Sequence, residues 1–184
     1  MMARVGSGRI GEQALGQQFL SIKKEEFKLK WFCMTSEDNK AIVRRFIEAY
    51  NNRNLDLFDD LVATEYVDHA HQQRGLEGFK QLFTLAFEGF PDWHENIEDI
   101  IAEGDKVWVR VEATGTHMGE WNLFGVSLPP SGKKVRMIMV FIWRIADGKL
   151  AEGWEVDDEL DFLKKLGVIE FTEKGKKLFA EDVE

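Results

Sequence analysis

The spacing of hydrophobic residues divides the chain into a helical part and a strand part. Thr35 can cap a helix, with Asp38 three residues further on in the capping-box position. Apolar side chains then recur at helical spacing, namely Ile42, Val43, Phe46, Ile47, Ala49 and Tyr50. A second, short helix is predicted over residues 55–62 and a third over residues 75–88, which Gly89 and Pro91 end.

The pattern changes to strands after Pro91. The predicted strands are residues 93–102, 106–117, 133–146 and 149–156, the last two joined by an Asp147-Gly148 hairpin turn, with a long loop over residues 118–132. A helix follows over residues 158–166, and a weaker one over residues 172–180. Helices followed by hairpin-linked strands predict an α+β fold, a cone-shaped curved antiparallel sheet covered by about three N-terminal helices.

The first 34 residues differ in charge from the rest. They carry six basic and three acidic residues, so their net charge is +3, whereas the remaining 150 residues are at −12. We predict a disordered N-terminal extension over residues 1–34, with a basic docking arm as the alternative. The folded domain is predicted over residues 35–170, and residues 171–184 form a C-terminal tail that holds the weak helix.

Composition excludes several classes of protein. The 33 acidic residues outnumber 24 basic ones, giving a net charge of −9, and an acidic surface argues against nucleic-acid binding. The single cysteine, Cys33, excludes an internal disulfide framework and a cysteine-based zinc site. No apolar run approaches eighteen residues, so no membrane-spanning helix is predicted. We expect a cytoplasmic protein.

Residues 40–167 contain a series of segments that resembles a known family. In order they are "VRRFIEAYNNRNLDLFDDLVATEYVDH", "GLEGFKQLFTLAFEGFPDW", "GTHMGEW", "PPSGKKV" and "WRIADGKLAEGWEVDDELDFLKKLG". The series resembles the SnoaL-like polyketide cyclase (predicted ester cyclase) family of the nuclear transport factor two-like, ketosteroid-isomerase-like superfamily. The resemblance implies a cone-shaped fold with one deep pocket, a homodimer, and ring closure by intramolecular aldol condensation without a metal or organic cofactor.

The resemblance also assigns positions in the pocket. His117 of "GTHMG" would face the pocket, an acidic residue on a neighbouring strand would be the acid/base, and the histidine of "VDH", His69, would lie at the pocket edge. Two positions depart from the family pattern. The strand after "PPSGKKV" commonly carries an aspartate where this chain has Phe141, and the histidine of a family "EHW" motif is replaced by Gly153.

Strand alternation gives an independent prediction for the acid/base residues. His117 shares a strand face with Val107, Val109, Val111 and Ala113, so it is expected at the pocket. On the last strand, Leu150, Trp154 and Val156 mark a buried face that brings Asp158 to its rim. We therefore predict His117 and Asp158 as catalytic candidates, with helix N-cap as the alternative role of Asp158. Glu155 and Asp157 fall on the opposite face, which is predicted to be solvated.

Other candidate positions concern ligand and metal binding. Tyr66, Trp93, Phe141 and Trp154 are aromatic residues that could line an apolar ligand, although such residues are more often core. His69 and His71 lie on the same side of an extended segment, as zinc ligands often do. His94 and His117 do not sit at ligand spacing from them, so a surface loop is favoured and no metal is predicted.

Two functions stay open from the sequence. The first is a cofactor-free cyclase or isomerase that acts on an apolar, polyketide-like carbonyl compound by proton transfer. The second is a non-catalytic small-molecule-binding or dimerisation module that keeps the fold, which the departures at Phe141 and Gly153 favour. A homodimer through the sheet is expected from apolar residues of the opposite strand face, which are Trp108, Ile138, Val140 and Ile142.

Overall fold

The computed structural model describes residues 34–123 and 125–178; the predicted N-terminal extension, apart from Met34, lies outside them. The helices are α1 (Ser36–Asn51), a 3₁₀ turn (Leu55–Leu57), α2 (Phe58–Leu61), α3 (Leu76–Gly89), α4 (Glu159–Leu166) and α5 (Glu173–Leu178). The strands are β1 (Val62–Asp68), β2 (Gln73–Arg74), β3 (His94–Glu103), β4 (Lys106–Thr116), β5 (Trp121–Leu123), β6 (Val126–Leu128), β7 (Lys134–Ala146) and β8 (Lys149–Asp157).

Six strands form one curved sheet in the order β2-β1-β8-β7-β4-β3. The predicted α+β class with an antiparallel-rich sheet is confirmed. One pairing differs from the prediction, because β1 runs parallel to β8. The segment predicted as a long loop over residues 118–132 contains a separate two-stranded hairpin, β5-β6.

Helices α1 to α3 cover the inner face of this sheet. Their apolar stripes bring together aromatic rings, with Phe46 tilted against Phe58 at 4.8 Å and edge-on to Trp143 of β7 at 5.4 Å between ring centroids. Alternate residues of β4 face the same core, and Val107, Val109 and Val111 are buried. Burial of these side chains on one face stabilises the helix-on-sheet packing, because apolar surface leaves water.

A β-bulge in β8 reverses the predicted faces of that strand. Leu150 pairs with Ile145 of β7, but Glu152 pairs with Arg144, so one residue is inserted between them. Because side chains alternate along a strand, the insertion turns every later residue to the other face. The prediction that Trp154 and Val156 lie on the buried face was therefore wrong, and Val156 is 69% exposed.

Helix α4 follows β8, and it begins and ends at the capping residues that the sequence predicts. Asp158 is the N-cap, and its Oδ1 accepts a hydrogen bond from the Asp161 backbone N–H at 3.4 Å. Gly167 ends the helix in the left-handed conformation at φ 77°. No helix in residues 34–123 and 125–178 is long and apolar enough to span a membrane.

Candidate active site

Carboxyl groups occupy successive positions on the inner face of the sheet. Glu155 of β8 pairs with Phe141 of β7, which in turn pairs with Val109 of β4. Asp157 lies two residues further along the same face of β8, opposite Met139. Glu95 of β3 is the third acidic residue on this face, because it pairs with the buried Ala113 of β4. Acidic groups thus lie on a face that is otherwise apolar.

Asp68 and His71 lie beside this row, at the end of β1. Asp68 pairs with Gly153 of β8 and is 5% exposed. Its Oδ1 accepts hydrogen bonds from the backbone N–H groups of Ala70 and His71 at 2.9 and 3.1 Å. The other oxygen, Oδ2, lies 2.9 Å from His71 Nδ1. The aspartate therefore holds both the turn and the imidazole ring.

Burial controls the acidity of the inner carboxyl groups. It raises the pKa of Glu155 to about 7, with opposing contributions from the His71 cation, which lowers it, and from Asp157 and Asp68, which raise it. Burial also raises the pKa of Glu95 to about 8, although its hydrogen bond from the Trp93 indole N–H favours the charged form. Groups with such pKa values exchange protons readily near neutral pH.

Asp68 and His71 shift in opposite directions because they form a pair. Hydrogen bonds from His71 and from two backbone N–H groups lower the pKa of Asp68, against the effect of burial. The hydrogen bond to Asp68 raises the pKa of His71, and the charges of Glu155 and Asp157 add to this. An imidazolium beside a row of carboxyl groups is thus favoured at this end of the sheet.

Tyr66 explains why residue 153 is a glycine. A Cβ atom at Gly153 would collide with the Tyr66 hydroxyl and lie 3.0 Å from Trp143 Nε1. That hydroxyl accepts a hydrogen bond from Trp143 Nε1 at 3.2 Å. The space that a side chain at position 153 would need is therefore occupied by a buried tyrosine–tryptophan pair, and burial raises the pKa of Tyr66 far above its usual range.

Phe141, one of the aromatic residues named as candidates to line a ligand, lies on the inner face of the sheet. Its ring stacks on Trp143 with 4.8 Å between centroids and 12° between planes, and it is only half-buried. Trp93 and Tyr66, two of the other candidates for ligand binding, are buried in the core. Phe141 is therefore the predicted aromatic residue that presents its ring beside a carboxyl group.

His117 is enclosed among aromatic rings at the far end of the sheet. Its ring stacks on Phe90 at 5.0 Å, and its Nδ1 lies 3.1 Å from Ser131 Oγ. Its Nε2 is buried and makes no hydrogen bond within the described part of the chain. Burial lowers the pKa of His117, while the nearby Gly119 carbonyl opposes the shift. Phe90 and Phe162 close the cluster, with 5.7 Å between their centroids.

His117 and Glu155 are separated along the sheet. His117 lies eight positions along β4 and its extension from Val109, which shares a row with Glu155. At about 3.3 Å per residue this is roughly 26 Å along the strand, too far for both groups to act on one atom. Asp158, the other predicted acid/base residue, is exposed and caps α4. The Asp158 N–H donates to the Ile138 carbonyl and the His117 N–H to the Lys133 carbonyl, five residues apart, so the backbones of the two predicted residues lie roughly 16 Å apart.

His69 and Trp154 lie on the outer face of the sheet. Their rings stack at 4.5 Å with 3° between planes, and His69 Nε2 lies 3.1 Å from Glu152 Oε2. Glu152 also accepts hydrogen bonds from the Arg144 guanidinium. Both aromatic rings thus face away from the carboxyl row, because the β8 bulge turns Trp154 outward.

Sequence reasoning placed Glu155 and Asp157 on a solvated face and weighed His71 only as a zinc ligand, so it assigned none of them to proton transfer. For the two acidic residues no signal was present, because they alternate with Trp154 and Val156 and either face of the strand could have been buried. For His71 a signal existed, since aspartate often forms an Asx turn by accepting hydrogen bonds from backbone N–H groups two or three residues further on. Among the described residues, no group of three or more histidine, cysteine, aspartate or glutamate side chains could hold a metal ion.

The sequence profile of the SnoaL-like polyketide cyclases matches residues 40–166. The chain belongs to this family. A curated relative, the aklanonic acid methyl ester cyclase DnrD of Streptomyces peucetius, is 30% identical over 133 residues, which cover 68% of this chain and 88% of DnrD. A second curated relative, the aklanonic acid methyl ester cyclase DauD of Streptomyces sp. (strain C5), is also 30% identical over 133 residues, which cover 68% of this chain and 80% of DauD.

Solved structures of similar proteins share the fold. The structure of TsrD from Streptomyces laurentii superposes with a TM-score of 0.67 at 25% identity, covering 74% of this chain and all of TsrD. The putative polyketide cyclase IdmH from Streptomyces antibioticus superposes with a TM-score of 0.59 at 29% identity, covering 70% of this chain and 98% of IdmH. The inner face of the sheet described above is therefore that of a SnoaL-like domain.

Proposed function

We propose that the protein is a cofactor-free cyclase that closes a ring in an apolar, polyketide-like carbonyl compound by acid/base proton transfer, with Glu155 as the acid/base residue. The observation that carries the proposal is the pairing of Phe141 with Glu155. Phe141 stands where the family commonly has an aspartate. Directly opposed residues of an antiparallel pair have Cβ atoms about 5 Å apart, so the Glu155 carboxyl on the adjacent strand lies close to the space that an aspartate at position 141 would use.

The proposed reaction is redox-neutral and conserves all atoms. The Glu155 carboxylate removes a proton from the carbon next to a carbonyl group. The resulting enolate carbon forms a bond to a second carbonyl carbon of the same molecule, whose C=O π electrons become an alkoxide lone pair. The alkoxide then takes up a proton from solvent, and Glu155 must release the proton that it removed, so that the product is an isomer of the substrate.

The pKa of Glu155 supports this assignment. A solvated carboxylate is too weak a base for this step, whereas a carboxyl group with a pKa near 7 combines a usable fraction of the charged form with greater basicity. Burial raises the pKa of Glu155 to about 7.

The surroundings of Glu155 support an apolar substrate. Phe141 lies opposite it, and Met137 and Met139 continue the same face of β7. Thioether and aromatic side chains adapt to flat apolar ligands. The relatives DnrD and DauD are named for aklanonic acid methyl ester, which makes this compound the first substrate to test.

The non-catalytic alternative rests on a specific observation, the absence of an acid at Phe141. Turnover by the wild type decides between the two functions, and removal of the Glu155 carboxyl tests the role of that residue. Glu155→Gln keeps the size and polarity of the side chain but not its charge, and we expect it to lower kcat/KM for aklanonic acid methyl ester by 10²-fold or more. Asp157→Asn is the matched control on the same face, with an expected loss of less than tenfold.

The outcomes of this assay are distinct. Equal turnover by Glu155→Gln and wild type would overturn the role of Glu155. A folded wild-type protein that binds the ester without converting it would support the binding module. The prediction that His117 takes part in acid/base chemistry is tested in the same assay by His117→Phe, which we expect to retain most activity because His117 lies far from Glu155.

We also propose that the outer sheet face forms a homodimer. Apolar residues continue across four strands of that face, with Ile101 64% and Val156 69% exposed. The predicted contact residues Trp108, Ile138, Val140 and Ile142 are half-buried between them. Light scattering of the wild type and of Val156→Lys tests the proposal, and a monomeric wild type would overturn it.

A further inference from the structure

We propose that His71, held in place by Asp68, is a proton relay that passes protons between Glu155 and solvent. The inference rests on the proposed function, in which Glu155 takes a proton from the substrate and must lose it again. His71 is assigned as a relay residue, not as a group that touches the substrate. From the sequence, His71 was weighed only as a zinc ligand beside His69, with a surface loop favoured.

The position of Asp68 links the relay to Glu155. Asp68 pairs with Gly153, which lies two residues before Glu155 on the same face of β8. Its side chain is 7% exposed, whereas the side chain of His71 is 50% exposed. The pair therefore connects the buried face of the sheet to solvent at one end.

The hydrogen bonds of Asp68 exceed what a turn requires. One oxygen, Oδ1, accepts both backbone N–H groups of the turn, from Ala70 and His71. The second oxygen is left to hold the imidazole through Nδ1 at 2.9 Å. An imidazole that donates its Nδ1 proton to a carboxylate keeps that tautomer, so proton exchange takes place at Nε2.

The charges around His71 favour reversible proton uptake. The charged groups that act on it are Asp68 of β1 and Glu155 and Asp157 of β8, and all three stabilise the imidazolium. In return, the imidazolium lowers the pKa of Glu155. Protonation of one partner therefore opposes protonation of the other, which is the condition for handing a proton on.

The relay step moves one proton without breaking another bond. Protonated Glu155 gives its proton to Nε2 of neutral His71, whose Nδ1 proton stays on the hydrogen bond to Asp68. The imidazolium then releases the Nε2 proton to water, and Glu155 is again a carboxylate. Substitution of Asp68 removes the partner that fixes the ring, so it is expected to impair the same step.

The coupling is measured directly by ¹⁵N NMR titration of the histidines in the full-length protein. We expect the His71 pKa to fall most in Asp68→Asn and by a smaller amount in Glu155→Gln. A His71 titration that is the same in wild type and Glu155→Gln would overturn the relay, whether or not the protein turns over any substrate.

The kinetic test uses His71→Asn and His71→Ala. We expect kcat to fall at least tenfold with little change in KM, and free imidazole to restore part of the lost rate in His71→Ala. A purely structural role for His71 would not give imidazole rescue. Full activity of both variants, with Glu155→Gln inactive, would overturn the relay and leave the proposed function intact. Wild type without turnover would overturn the proposed function, and the titration alone would then decide the relay.

Discussion

His117 and His71 lie at two ends of the same sheet, and their surroundings drive their pKa values in opposite directions. His117 is buried among aromatic rings, and burial lowers its pKa. His71 is half-exposed beside Asp68, and that hydrogen bond raises its pKa. Burial alone therefore does not make a histidine fit for proton transfer. A carboxylate partner and access to solvent favour the exposed one.

The largest expected loss of stability comes from a substitution at the aromatic end of the sheet. A Cβ atom at Gly119 would collide with the backbone carbonyl of Glu88, which cannot move as a flexible side chain can. Gly119→Ala is therefore expected to destabilise the fold by about 3 kcal/mol. Urea unfolding measures the change in the free energy of unfolding.

Gly78→Ala is the matched control for that substitution. Gly78 lies inside α3, and a Cβ there meets only the end of the Gln73 side chain at 3.4 Å. Alanine is favoured over glycine inside a helix by about 1 kcal/mol, so this variant is expected to gain stability. Wild-type stability in Gly119→Ala would contradict the close packing beside His117.

A similar effect is expected in the pH dependence of stability. Burial raises the pKa of Glu95 to about 8, above that of an unfolded glutamate near 4.3. The folded state then binds more protons than the unfolded state between these values, so the stability contribution of Glu95 is lost as pH rises from about 4.3 to 8. Glu95→Gln removes this loss and keeps an acceptor for Trp93.

The expected difference is seen by comparing unfolding curves. As the pH rises from 5 to 8, the free energy of unfolding of Glu95→Gln should increase by roughly 3 to 4 kcal/mol relative to that of wild type. Asp157, whose pKa is also raised, acts in the same direction in both proteins and cancels in the difference. Parallel stability curves would mean that Glu95 is solvated in the folded state.

Much of the architecture was predictable because it depends on local patterns. The helix of residues 36–51 follows from apolar residues at helical spacing, and Asp158 caps α4 as its position before Glu159 and Leu160 indicates. The alternation along β4 likewise placed Val109 and Val111 in the core. These features depend on neighbours in sequence, where periodicity carries the information.

The candidate site was much less predictable because it depends on one inserted residue. The bulge after Leu150 decides which face of β8 is buried, and the pairing with β7 that creates it is not visible in the sequence. The parity of Trp154 and Val156 therefore gave the wrong face. The pairing of His71 with Asp68 involves only local residues, but its proximity to Glu155 depends on the parallel contact of β1 with β8.

The central claim is that the β8 bulge turns Glu155 into the apolar interior, where its carboxyl group can exchange protons near neutral pH. A ¹³C NMR titration of the glutamate side chains tests this directly, with the Glu155 signal assigned by its loss in Glu155→Gln. We expect Glu155 to titrate with a pKa of about 7. A pKa near 4.3, that of a solvated glutamate, would contradict it.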